Sequence, residues 1–169
     1  MSWVFIVIIA IMLAFFLVFT LGIQTTVIGT SMEPALQNGQ VVLLNRIIYN
    51  LVSPGQGDVI AFRPNGNENA HLSVKRVVGG PGDRIRIQGG ILYLNGEPQE
   101  DMFEDRIADA GVAADEFVLP DDEFFVMGDN CNSSEDSRSP NLGNVKREHI
   151  VGKAWLHMGS EKTGLGFVD

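Results

Sequence analysis

In the segment Arg84-Ile85-Arg86-Ile87-Gln88-Gly89-Gly90-Ile91-Leu92-Tyr93-Leu94-Asn95-Gly96, polar and apolar residues alternate up to a Gly-Gly pair. An apolar run follows and closes on a second turn signal, Asn-Gly. Period-two alternation broken by such pairs predicts a β-hairpin. Short β-branched and aromatic runs bounded by Gly, Pro, Asn and Asp recur on both sides, at 41–44, 58–62, 74–78 and 123–127, and each predicts a strand. Helical periodicity beyond residue 24 is confined to one turn at Arg147-Glu148-His149-Ile150. The expected class is mainly β, an antiparallel sheet folded over or partly closed. Segment 99–115, acidic with Ala and Gly, reads as a surface excursion.

Upstream lies a different kind of sequence. Residues 3–23 form 21 consecutive positions without a charge, a length of roughly 30 Å at about 1.5 Å per residue. One N-terminal transmembrane helix is expected. A cleavable leader would have a basic start, a shorter apolar core and a small-x-small exit. Here no basic residue precedes the run, and Thr20-Leu21-Gly22-Ile23-Gln24 is a poor cleavage site. The positive-inside rule gives no orientation, since no Lys or Arg occurs before Arg46. The expected organisation is an anchor over 1–24 and one globular domain over 25–169.

With a net charge of −9 and no cluster of Lys and Arg, the chain is not built for nucleic acid. Cys131 is the single cysteine and can form no internal disulfide. Three scattered histidines and one cysteine have no ligand spacing, so no metal and no cofactor are expected.

Candidate chemistry begins at Gly29-Thr30-Ser31-Met32-Glu33-Pro34, whose Ser31 lies eight residues beyond Ile23, where the apolar run ends. A serine hydroxyl needs a base to become a nucleophile. Two are open. His71 would share a strand face with Ser73 and Lys75. Lys75 lies in an otherwise apolar strand beside Arg76, and alternation puts the two on opposite faces. An ordinary lysine is almost wholly protonated at neutral pH, and burial against apolar walls is what would free its lone pair. Spacing alone favours a solvated strand lysine.

Five segments in order resemble the pattern of bacterial type I signal peptidases, membrane-bound serine proteases that remove signal peptides from exported proteins. They are the uncharged run; 29–34; Gly57-Asp58-Val59-Ile60-Ala61-Phe62; Lys75-Arg76-Val77-Val78-Gly79-Gly80-Pro81-Gly82-Asp83; and Gly128-Asp129-Asn130 through Ser134, Asp136, Ser137 and Arg138. The resemblance implies that Ser31 is the nucleophile, Lys75 the general base, and Ser134 a hydrogen-bond partner orienting the lysine. It makes Asp136 and Arg138 a supporting ion pair. The backbone N–H of Ser31 is the expected oxyanion donor; some relatives add a serine hydroxyl two positions earlier, where this chain has Gly29. Asp58, Asp83 and Asp129 each follow a glycine and are expected to close turns.

A substrate of this family would add as an extended strand. Val27, Ile28, Gly29, Met32, Leu36 and Val74 are by position the candidate substrate-binding residues, with core packing as the competing role. Expected partners are signal peptides of preproteins and membrane lipid, with no obligate protein partner. Lysine rather than histidine at the base position resembles the bacterial enzymes, which implies a single-pass protein of the cell membrane with its catalytic domain on the extracytoplasmic side. Two other readings are a self-cleaving Ser-Lys protease and a tethered β domain that binds exported chains without cutting them. Cys131-Asn132 stands where many relatives carry a charged pair, and 159–169 has no recognised counterpart.

Overall fold

The computed structural model describes residues 3–159 and 164–168, the side chains of 17–21 excepted. Helix α1 (Trp3–Leu21) is uncharged throughout, and its side chains are exposed from Trp3 to Phe16. Among the described residues no helix is long and apolar enough to cross a membrane. The transmembrane helix expected over 3–23 is not shown by those residues, and the side chains of 17–21 lie outside the described ones. The helix stops at Leu21 because Ile23 is drawn into the sheet, where it pairs with Leu44.

Next come β1 (Ile23–Thr26), β2 (Val41–Asn45), the single-turn helix α2 (Ile48–Leu51), β3 (Val59–Phe62), β4 (Ser73–Gly79), β5 (Arg84–Gln88) and β6 (Ile91–Leu94). The remaining strands are β7 (Glu97–Pro98), β8 (Phe117–Val118), β9 (Glu123–Met127), β10 (Val145–Lys146), β11 (Ile150–Met158) and β12 (Gly166–Phe167). The larger sheet runs β1-β2-β11-β3-β4-β9-β10 with β12 on β11, and the smaller runs β7-β6-β5-β8. Every pairing is antiparallel. The mainly β, antiparallel class is thus observed.

The hairpin forms where its turn chemistry requires. Gly89 and Gly90 both have positive φ, at 62° and 77°, and set Gln88 against Ile91. That is the two-residue turn whose twist matches the strands. β3 is buried on both sides, with Val59 and Ala61 in one core cluster and Ile60 and Phe62 in another. A third cluster joins Ile85, Ile87 and Leu92 to Val78, Phe125, Met127 and Cys131, fastening the small sheet to the ends of β4 and β9.

Segment 99–115 is not the loose excursion its composition predicts. Ile107 and Ala113 are buried in that third cluster, and Met102 and Phe103 pack against it. The Ile107 N–H donates to the Gly90 carbonyl, so the segment lies over the hairpin turn. A few apolar residues in an acidic stretch suffice to hold it down.

At the α2 end, Asp58 collects three donors: the Tyr49 hydroxyl at 3.0 Å, the Gly55 N–H at 3.0 Å and the Lys153 ammonium. Burial by itself would raise the Asp58 pKa, but these donors outweigh it and hold the carboxyl below its ordinary value.

β11 lies between β2 and β3, and at Gly152 the neighbouring backbone comes so close that a Cβ would meet the Asn45 carbonyl oxygen at 2.8 Å. Gly152→Ala is expected to cost about 1–3 kcal/mol through backbone displacement, read as a Tm several degrees lower. Gly55→Ala, whose Cβ would have only Asp58 Oδ2 at 4.0 Å, should melt near the parent temperature.

Candidate active site

Ser31 sits in a bend pinned from several directions. Val27 exchanges backbone hydrogen bonds with the 39–40 turn: its N–H donates to Gln40 O, and Gly39 N–H donates to Val27 O, each at 2.8 Å. Gly29 adopts φ 85°, a conformation that disfavours side chains, and donates its N–H to Asn38 Oδ1 at 2.9 Å. A turn follows in which Glu33 N–H donates to Thr30 O, and Leu36 N–H to Met32 O. Met32 and Leu36 are 0% exposed and anchor the bend in the core. The Glu33–Pro34 peptide bond is cis.

Lys75 comes from β4, in register with Ile60 of β3, while Arg76 faces Val59. The two basic residues therefore lie on opposite faces, as the alternation predicts. Lys75 is 6% exposed, and its Nζ lies 2.6 Å from Ser31 Oγ in a hydrogen bond. Burial pushes its pKa down. Asp136, Glu135 and Asp129 pull the other way, and Arg138 assists the burial. His71, the other candidate base, is exposed and lies in a groove beside β1 instead.

Behind the Ser31–Lys75 contact, Asp136 and Arg138 form a buried two-point pair, Nε to Oδ1 at 2.8 Å and Nη2 to Oδ2 at 2.9 Å. Arg138 also donates to the Asp109 carbonyl at 2.9 Å and to the Cys131 carbonyl. Asp136 accepts from Gly128 N–H at 3.2 Å. The ion pair thus ties together the 128 turn, the 131–133 turn and segment 99–115. Ser134 Oγ is buried and makes no hydrogen bond, to Lys75 or to any other described group.

Sequence reasoning missed three contributors. Gly128 has no room for a side chain: a Cβ would lie 2.3 Å from Ser31 O and 2.4 Å from Ser134 Oγ. Asn130 holds the serine bend, donating its N–H to Ser31 O at 3.0 Å and its side-chain amide to Thr30 O at 3.3 Å. Asp129 does not close a turn as predicted; it pairs with Arg76 through two contacts of 2.7 Å. Asp58 and Asp83 do close turns, accepting from Gly55 and Gly80 N–H. Only the adjacency of β4 and β9 could have linked Arg76 to Asp129.

The substrate-binding candidates separate by burial. Val27, Met32, Leu36 and Val74 pack in one core cluster, which favours the packing role over a pocket wall. Ile28 is 63% exposed and Gly29 is also exposed. Ile28 lines a groove of about 380 Å³ with Gln24, Thr25, Thr26, Val41, His71 and Leu72. Asn132 does a neutral residue's work at the departure noted above, accepting from Ala108 N–H and donating to Arg106 O, both at 2.9 Å.

Comparison with known proteins gives the family. The family model described as signal peptidase, peptidase S26, matches residues 1–158. A probable signal peptidase I-2 of Synechocystis is 33% identical over 152 residues, covering 82% of this chain and 66% of that protein. Signal peptidase I of Bacillus caldolyticus is 38% identical over 138 residues, 74% of this chain and 72% of the relative. Signal peptidase IB of Staphylococcus aureus is 34% identical over 166 residues, 86% and 84%. A crystal structure of a signal peptidase I from Enterococcus faecalis covers 60% of this chain and 97% of its own at 26% identity, with a TM-score of 0.44. A family match over nearly the whole chain, with relatives above 30% identity, makes this chain a member of the signal peptidase family, peptidase S26, and so a hydrolase by family.

Proposed function

We propose that the protein is a membrane-tethered serine endopeptidase that removes signal peptides from exported preproteins, cutting after small-x-small sites. The observation that carries the reading is the 2.6 Å contact between Ser31 Oγ and the Nζ of a lysine that is 6% exposed. Neutral Lys75 takes the hydroxyl proton as Ser31 Oγ adds to the scissile carbonyl carbon. The C–N bond then breaks, Lys75 returns the proton to the departing amine, and an ester to Ser31 remains. Water attacks that ester and gives a proton to Lys75; the ester C–O bond breaks, Lys75 passes the proton to the serine oxygen, and the carboxyl product departs.

The oxyanion needs a donor that the fold has not already used. Ser31 N–H makes no hydrogen bond among the described residues, whereas Ser31 O is held by Asn130. The Ser134 hydroxyl, without a partner beside Gly128, is available to turn toward the amine and orient it. Asp136 and Arg138 fix the loop that carries it.

β1 ends the larger sheet and, among the described residues, leaves one edge unpaired, so an extended substrate can add beside the Ile28 groove. α1 presents only apolar side chains over 3–16, all exposed, and lipid is the surrounding that suits them. That tether places the domain at the bilayer, on the extracytoplasmic side where exported chains emerge, and brings the scissile bond to Ser31 in two dimensions.

Full-length protein in detergent, incubated with a preprotein bearing a small-x-small site, should cut after that site as located by mass spectrometry. Ser31→Ala and Lys75→Ala should each lower the rate by about 10²–10⁴-fold or more with unchanged circular dichroism; near-normal activity in either variant would sink the dyad. Because the neutral amine is the active form, the rate should rise with pH. Its midpoint should fall below the value near 10.4 usual for lysine, in the direction burial imposes; a profile flat from acid to alkaline pH would exclude Lys75. Gly128→Ala should displace the Ser31 carbonyl and reduce kcat more than tenfold while the fold persists. A wild-type kcat there would show that the close approach is unimportant.

A further inference from the structure

The groove beside β1 changes character along its length. Ile28, an exposed residue three positions before Ser31, gives it an apolar end. Farther from the serine the lining turns to the hydroxyls of Thr25 and Thr26, the carboxamide of Gln24 and the imidazole of His71. None of its described lining residues is Asp, Glu, Lys or Arg.

Alternation decides which side of a bound chain meets these groups. Along β1, Gln24 and Thr26 are exposed while Ile23 and Thr25 are half-buried, and the order continues to buried Val27 and exposed Ile28. From the segment leading into β4, His71 is exposed, whereas Leu72 packs on the cluster that holds Val27, Met32 and Val74. A substrate extended beside β1 alternates with the same period. With the small residues first and third before the cut turned inward, the second and fourth turn outward, to the side of Ile28, Thr26 and His71.

Length along the groove separates the two outward positions. His71 stands four residues before Lys75, whose amine touches Ser31 Oγ. At roughly 3.3 Å per residue that is about 13 Å of extended chain, the span that separates the fourth residue of a substrate from its scissile bond. The imidazole and the Thr26 hydroxyl can each donate and accept, and no hydrogen bond within the described residues engages either side chain. An aliphatic side chain at that level would cover these groups without replacing their water, whereas a carboxamide or hydroxyl can bond to them. A groove without a fixed charge offers nothing to balance an ion.

We infer that His71 and Thr26 determine specificity for the fourth residue before the cut, accepting an uncharged polar side chain and disfavouring an aliphatic one. This rests on the peptidase reading above. The apolar stretch of a signal must then end before that level, which fixes the register in which the chain enters the site. At the second residue, beside Ile28, the groove makes no such demand.

The test uses the full-length protein in detergent with two competing peptides that share one small-x-small site and differ only at the fourth residue before the cut, Gln against Leu. Mass spectrometry of the products gives the ratio of their kcat/KM values. Gln should be preferred about three- to tenfold. His71→Leu/Thr26→Val, with both changes at exposed positions, should bring the ratio near one. A second pair places Gln or Leu at the second residue before the cut, and its members should be cut at equal rates. Equal cutting of the first pair by the parent protein overturns the inference and leaves the peptidase reading standing, as does a preference that the double variant retains. The same penalty for Leu at both positions marks a general effect of apolarity and also overturns it. Failure to cut any of these peptides in a Ser31-dependent way overturns the peptidase reading and the inference with it.

Discussion

The site depends on taking one amine out of water. A lysine on an exposed strand would stay protonated and could not accept the Ser31 proton that the proposed mechanism gives it. The sheet prevents this by giving Lys75 a place on β4, flanked by β3 and β9 and directly opposite Ile60. Desolvation disfavours the ammonium form and so frees the lone pair. In the proposed mechanism the central location of β4 thus has a chemical purpose as well as a packing one.

That desolvation works against the chain's own acidity. Asp136, Glu135 and Asp129 all favour the charged lysine. An unpaired carboxylate a few ångströms away could restore the proton, since a unit charge at 4 Å is worth about 4 kcal/mol at an effective dielectric constant near 20. Two of the three are matched by guanidinium groups, Asp136 by Arg138 and Asp129 by Arg76. Each pair presents a dipole where a lone carboxylate would present a full charge. The arginines also steer backbone: Arg138 binds two carbonyls, and Arg76 binds the carbonyl of Gly57 at 2.8 Å.

Much of this was legible in the sequence, for local reasons. Strands with unbroken apolar or alternating patterns, such as β3, β5 and β9, declare themselves, and Gly89-Gly90 announces its turn. β11 did not, though it holds a central place in the sheet. Gly152 is there for a close approach to Asn45, Lys153 for Asp58, and two register shifts break the alternation. Ser31 and Lys75 were found through motifs. Gly128 and Asn130 stood in a matched segment, but their backbone contacts to the serine bend depend on proximity that the motif does not spell out, and Ile28 and Val27 could be separated only by their burial in the fold.

Cys131 illustrates a different economy. Its thiol lies in the core at 2% exposure, and burial pushes its pKa up. The thiolate is the form that attacks disulfides and forms mixed bridges. A lone thiol kept protonated and covered is chemically quiet, so the chain can carry one in oxidising surroundings without becoming cross-linked to its neighbours.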